Sequence, residues 1–180
     1  MEAVKDMNSV LVRLALVAAV VATTTPALAQ ESKNLVATKT DWSVFTDDSP
    51  KECWGVSSPK ESVNSRDGKP VSVRRGDILL FVTFRPGSGG KGEISFTGGY
   101  PFATGSNVTV DIDGKSYELF TEGEWAWPGS AEADSDLLAA MKRGSNATLK
   151  AASGRGTETK DTFSLRGFTA AMEEAEKRCK

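Results

Sequence analysis

The sequence predicts an all-β protein, an antiparallel sandwich of about eight short strands with two short helices. The first observation is the apolar run at residues 77–84, which lies between the turn signals Arg75-Gly76 and Pro86-Gly87. Eight residues at about 3.3 Å each suit a strand, whereas so short a helix seldom persists. The second observation is that turn residues recur at short intervals along the rest of the chain, which is typical of an antiparallel sandwich.

The run at 77–84 is predicted to be a central strand. Its side chains alternate between Ile78, Leu80, Val82 and Phe84 on one face and Leu79, Phe81 and Thr83 on the other. Because both faces are largely apolar, we expect other elements to cover both.

The remaining predicted strands are residues 42–46, 53–57, 71–75, 92–97, 107–111, 115–120, 147–152 and 161–165. Residues 107–120 should form a hairpin, because Asp113-Gly114 is a dipeptide preferred in tight two-residue turns. The last two strands are joined by the polar stretch 153–160.

Two helices are expected late in the chain. Ser130 can cap the first, with acidic residues in its early turns, Lys142 and Arg143 in its last turn, and Gly144 as its C-cap. The second begins near Thr169, and its apolar stripe consists of Phe168, Ala171, Met172, Ala175 and Cys179.

Residues 1–29 have the pattern of a secretory signal peptide. Lys5 and Arg13 supply positive charge, residues 14–22 are apolar, and Ala27-Leu28-Ala29 predicts cleavage after Ala29. A leader starting at Met7 fits as well. Residues 30–40 are expected to form a flexible arm and residues 41–180 the folded domain, with no transmembrane segment once the leader is removed.

The two cysteines, Cys53 and Cys179, are expected to form a disulfide, because exported proteins with an even cysteine count usually pair them. The alternative is two free thiols. The sequence has no histidine, which removes the common catalytic bases, and two distant thiols cannot hold zinc. No catalytic, metal or cofactor site is therefore predicted. A net charge of −2 argues against nucleic acid as a partner.

Short motifs that resemble functional sites have structural explanations. The integrin-type tripeptide Arg75-Gly76-Asp77 lies where a strand begins, and Asp113-Gly114 is a turn rather than the start of a calcium loop. Glu122 and Glu124 are the carboxylate pair on which a sugar-hydrolysing enzyme would depend, but they lie in a polar turn.

Charge is unevenly distributed along the chain. Residues 60–91 carry seven basic and three acidic side chains, and residues 111–136 carry eight acidic side chains against Lys115. The two regions can pair within the molecule or form a docking face. The candidate partner-binding residues are Arg74 and Arg75 in the basic region, and Trp125 and Trp127, which could stack on a glycan or peptide or fill a sandwich edge.

Three motifs carry a family resemblance: Gly-Asp-Ile-Leu-Leu-Phe-Val at 76–82, Met-Lys-Arg-Gly at 141–144 and Ser-Leu-Arg-Gly-Phe-Thr-Ala-Ala at 164–171. In this order they resemble the invasion associated locus B family over residues 42–179. The resemblance implies a small exported bacterial protein with an immunoglobulin-like sandwich, from a family named for host-cell entry. More cysteine-rich members have a second cysteine pair after the hairpin, where this chain has residues 121–128 without cysteine.

The expected function is a non-catalytic binding domain of the periplasm or envelope, exported or secreted. Its partner would be an envelope or host protein or an anionic envelope component. The alternative is a structural or assembly factor of the envelope without a ligand, and a glycan-active enzyme ranks third.

Overall fold

The computed structural model describes residues 34–87 and 91–180, which form twelve strands and two helices. The strands are β1 Leu35–Lys39, β2 Trp42–Asp48, β3 Lys51–Ser57, β4 Glu61–Arg66, β5 Lys69–Pro70, β6 Leu79–Phe84, β7 Glu93–Thr97, β8 Asn107–Ile112, β9 Lys115–Glu122, β10 Trp125–Pro128, β11 Asn146–Ala152 and β12 Glu158–Ser164. The helices are α1 Ala131–Arg143 and α2 Phe168–Arg178. The predicted leader at 1–29 lies outside the described residues.

The strands form one antiparallel sheet in the order β1-β2-β3-β6-β7-β10-β9-β8-β11-β12-β4-β5. The sheet folds back on itself, because strands far apart in this order are in contact. Trp42 on β2 donates its indole N–H to the carbonyl oxygen of Ser164 on β12 at 2.9 Å. Phe96 on β7 packs edge-on against Phe163 on β12, with ring centroids 6.1 Å apart. The predicted all-β sandwich with two helices is therefore confirmed.

Strand β6 lies inside the sheet between β3 and β7, as predicted for the apolar run. Its inner face is buried through Leu80, Val82 and Phe84. Its other face is only half-buried, so the expectation that both faces are covered is wrong. Helix α2 contacts β1, β2, β3 and β6, and helix α1 contacts β7 and β10.

Segment 71–78 is the clearest departure from the sequence prediction. A strand is expected at 71–75, but residues 71–78 form neither helix nor strand. The backbone N–H of Gly76 donates to the carbonyl oxygen of Gly99 at 2.8 Å, and the Arg75 side chain binds the carbonyl oxygen of Gly98. This segment is therefore fixed by a side chain and isolated backbone bonds instead of a strand ladder.

Four strands are not anticipated by the sequence: β1, β4, β5 and β10. The expectation of a flexible arm is wrong for residues 35–39, because they form β1 and pair with β2. Strand β4 pairs with β12 through residues that are mostly exposed. Neither β1 nor β4 has the alternating apolar pattern by which strands are recognised.

Both helices lie where the sequence predicts them. The Ser130 hydroxyl accepts the Ala133 N–H at 3.2 Å as the α1 cap, and Leu137, Ala140 and Met141 are buried. Helix α2 is joined to β3 by a disulfide between Cys179 and Cys53. Within residues 34–87 and 91–180, no helix has the length and apolarity required to cross a membrane.

Candidate partner-binding cleft

A cleft of about 490 Å³ opens where segment 71–78 lies against residues 99–101 and the β11–β12 turn. We call it the arginine cleft, because four of its lining residues are arginines. The lining consists of Arg66, Val73, Arg74, Arg75, Gly99, Tyr100, Pro101, Glu124, Ser153, Gly154, Arg155, Thr157 and Thr159. Glu124 is its one acidic lining residue.

An ion pair between Arg75 and Asp161 lies beneath the cleft. Arg75 Nη2 donates to Asp161 Oδ2 at 2.6 Å and Nη1 donates to Oδ1 at 2.8 Å. The Arg75 and Asp161 side chains are 6% and 1% exposed. Arg75 also donates to Asn64 Oδ1 at 3.2 Å and to the carbonyl oxygen of Gly98 at 2.8 Å. These bonds satisfy a charge that would be costly to bury alone, and they attach segment 71–78 to the sheet.

Tyr100 lines the cleft and contacts this ion pair. The Arg75 guanidinium carbon is 5.0 Å from the centre of its ring, and its hydroxyl is 2.6 Å from Thr159 Oγ1. Burial raises the pKa of the Tyr100 phenol, an effect that the Thr159 hydrogen bond and the Arg75 charge partly oppose. The phenol is therefore neutral at physiological pH, and the cleft charge comes from its arginines.

Three arginines form the rim. Arg74 and Arg155 are exposed, and neither side chain forms a hydrogen bond or ion pair within the described part of the chain. Arg66 donates to Thr157 Oγ1 at 2.8 Å, which holds its guanidinium beside the cleft. Three cations around one concave surface create a positive potential that attracts anions.

The structure separates the two predicted arginines by role. Arg74 lies on the exposed rim, whereas the Arg75 side chain is almost buried and bound to Asp161, so Arg74 is the more accessible of the two to a partner. Sequence reasoning missed Arg155 and Tyr100 as members of the same surface. Arg155 lies in the Gly154–Gly156 turn, and no local signal connects it with residue 74.

The predicted tryptophans lie outside the cleft, on β10. Trp125 is 40% exposed and its ring is 5.9 Å from that of Phe81. Trp127 is half-buried, with its ring 5.5 Å from that of Phe120. Trp125 directly follows Glu124, so the aromatic surface begins beside the arginine cleft.

Internal pairing neutralises part of the basic region, and in the described part of the chain its ion pairs are formed with acids outside 111–136. Lys60 binds Asp41 at 2.7 Å, and Arg85 binds both Glu52 and Glu93. Arg75 binds Asp161. Arg74 makes no such pair in the described residues and remains exposed to solvent.

Among residues 34–87 and 91–180, no group of three histidine, cysteine, aspartate or glutamate side chains is arranged to hold a metal ion. Glu122 and Glu124 are both exposed at the β9–β10 turn.

A sequence profile described as "Invasion associated locus B (IalB) protein" matches residues 42–176. The chain belongs to the IalB family. Among solved structures, it resembles the crystal structure of invasion associated protein B from Bartonella henselae, with a TM-score of 0.54 and 16% identity. That match covers 78% of this chain and 95% of the other, and at this identity it supports the fold alone. No curated protein sequence matches significantly.

Proposed function

We propose that this IalB-family protein is an exported, non-catalytic binding domain of the cell envelope that holds an anionic partner in the arginine cleft. The observation that carries the proposal is that three exposed arginines, Arg66, Arg74 and Arg155, line one cleft together with Tyr100. Guanidinium groups suit this task because their planar donors match carboxylate and phosphate oxygens two at a time.

The buried ion pair supports the proposal by fixing the rim before a partner arrives. Arg75 anchors segment 71–78 to β12 through Asp161, and Arg74 is the preceding residue on that segment. A prearranged cation loses less conformational entropy on binding than one on a mobile loop. Arg75 therefore acts as a positioning residue for Arg74.

Export is part of the proposal, with a signal peptide cleaved after Ala29 and a periplasmic, envelope-associated or secreted product. The cysteine pair fits an oxidising compartment. The IalB family is not known as an enzyme family, and the sequence has no histidine. Envelope lipid phosphates and acidic protein segments are both partners of suitable charge.

The test measures the binding of two anionic probes, lipopolysaccharide and a capped tetraglutamate peptide, by titration calorimetry. The variant Arg74→Gln/Arg155→Gln should lower the affinity about tenfold or more, since charge-assisted hydrogen bonds are lost. The matched control is Arg143→Gln/Lys177→Gln, which removes two exposed cations from the helix ends. Binding should also weaken as ionic strength rises above about 0.15 M.

The probes distinguish the two sources of anion. If lipopolysaccharide binds and its dephosphorylated form does not, the ligand group is phosphate. If only tetraglutamate binds, the partner is an acidic protein segment. If neither binds, or both double variants lose affinity equally, the cleft is not the site. The alternative of an assembly factor without a ligand would then be favoured.

A further inference from the structure

The outward face of β9 and β10 carries exposed aromatic rings. Phe120 is 47% exposed and Trp125 is 40% exposed, which is unusual for large apolar side chains in strands. Trp127 lies opposite Phe120 in the strand register, and the ring of Phe81 on β6 lies 5.9 Å from that of Trp125. Two ring pairs, Phe120 with Trp127 and Phe81 with Trp125, therefore lie on this face.

Two carboxylates flank this surface. Glu118, Phe120 and Glu122 alternate with buried Leu119 and half-buried Thr121, so all three point outward from β9. Glu122 lies opposite Trp125 in the register. Glu118 accepts only a long bond from Asn107 Nδ2 at 3.4 Å, and Glu122 makes no side-chain hydrogen bond or ion pair in the described ranges.

We propose that this surface, the aromatic–acidic face of Glu118, Phe120, Glu122, Trp125 and Trp127, docks a lysine- or arginine-bearing segment of a partner protein. A cation above an aromatic ring is attracted by the ring's π electrons, and a neighbouring carboxylate accepts its hydrogen bonds. The same carboxylates repel anionic lipids and acidic glycans. Charge complementarity therefore selects a basic partner.

The strand geometry adds a spacing requirement. Glu118 and Glu122 are four residues apart on one strand, so their Cα atoms are about 13 Å apart at about 3.3 Å per residue. An extended partner segment reaches both carboxylates when its basic residues are also four positions apart. The rings of Phe120 and Trp127, which are opposite each other in the register, then lie beneath the part of the segment between the two cations, and Trp125 lies beside the cation at Glu122.

This inference does not depend on the arginine cleft, whose charge is opposite, so either proposal can fail alone.

The experiment follows the indole N–H signals of Trp125 and Trp127 by NMR while capped pentapeptides are added to the full protein. Arg-Ser-Gly-Ser-Arg should shift both indole signals in a saturable way and leave that of buried Trp42 unchanged. Arg-Arg-Ser-Gly-Ser, with equal charge, should bind several-fold more weakly, and Gln-Ser-Gly-Ser-Gln weaker still.

Variants test the surface from the protein side. Glu118→Gln/Glu122→Gln should weaken binding at least several-fold, whereas Asp136→Asn/Glu173→Gln, which removes two exposed carboxylates on the helices, should not. Equal binding of all three pentapeptides, or no saturable shift with any of them, would overturn the proposal. So would shifts produced by a neutral oligosaccharide in place of the basic peptide, because the rings would then act as a sugar-stacking surface.

Discussion

Arg75 and Asp161 form a two-bond ion pair that is almost closed off from solvent, and it joins segment 71–78 to strand β12. Asp161→Asn should lower the free energy of unfolding by about 3–5 kcal/mol, because an unpaired guanidinium would stay buried. Arg74→Gln, one residue from Arg75 but exposed, should change it by less than about 0.5 kcal/mol. Urea denaturation measures both variants.

The double variant Arg75→Met/Asp161→Leu tests whether the loss of stability comes from leaving one charge unpaired. Removing both charges together should lower the free energy of unfolding by less than the sum of the two single substitutions, since no charge is left buried without a counter-ion. Equal stability of Asp161→Asn and Arg74→Gln would show that the pair does not hold the segment.

Local patterns were sufficient to predict much of the fold. The hairpin of β8 and β9 follows from Asp113-Gly114, and α1 follows from a serine cap and charges that complement its dipole. These signals involve residues close together in the chain, so they can be recognised without knowing the topology.

The arginine cleft could be predicted only in part. Arg74 stands out in a basic region. Arg75 carries the same charge, but it is buried and paired with the carboxylate of Asp161, which lies 86 positions later in the chain. Likewise, β4 is a strand because it pairs with β12, which is equally remote in sequence. Burial and edge pairing of this kind depend on tertiary contacts that the periodicity of a single segment does not contain.

Tyr100 should make stability depend on pH in the alkaline range. Burial raises the pKa of its phenol above the ordinary 10.0, so the folded state holds the proton more tightly than the unfolded chain. The contribution of the protonated phenol to the free energy of unfolding is complete below about pH 10 and is lost as the pH rises through the folded-state pKa. Tyr100→Phe should flatten this decline in the free energy of unfolding, measured by urea denaturation from pH 9 to 11.

The same substitution should cost about 0.5–1.5 kcal/mol at pH 7, because Thr159 loses its hydrogen-bond partner. Tyr117→Phe removes the other tyrosine and serves as the control. An unchanged alkaline decline in Tyr100→Phe would contradict the assignment.

The disulfide between Cys53 and Cys179 should contribute about 2–5 kcal/mol, because it closes a loop of 126 residues and restricts the unfolded chain. Cys53→Ala/Cys179→Ala should lower the urea midpoint accordingly. Dithiothreitol should lower the midpoint of the wild-type protein to a similar extent and leave that of the double variant unchanged. Thiol labelling of the unreduced, denatured protein would contradict the bridge if it found two reactive cysteines.

Gly99 and Gly105 provide a matched test of how segment 71–78 positions the cleft. Both have φ of +72°, but an added Cβ at Gly99 would lie 2.5 Å from the carbonyl oxygen of Gly76, whereas nothing lies within 4 Å at Gly105. Gly105→Ala should cost about 1–2 kcal/mol from backbone strain alone. Gly99→Ala should cost more, since it also pushes against the segment that carries Arg74.

Anion affinity should therefore fall in Gly99→Ala and stay near wild type in Gly105→Ala when both are titrated with the same probe. Equal affinities would mean that the cleft does not require segment 71–78 in its present position.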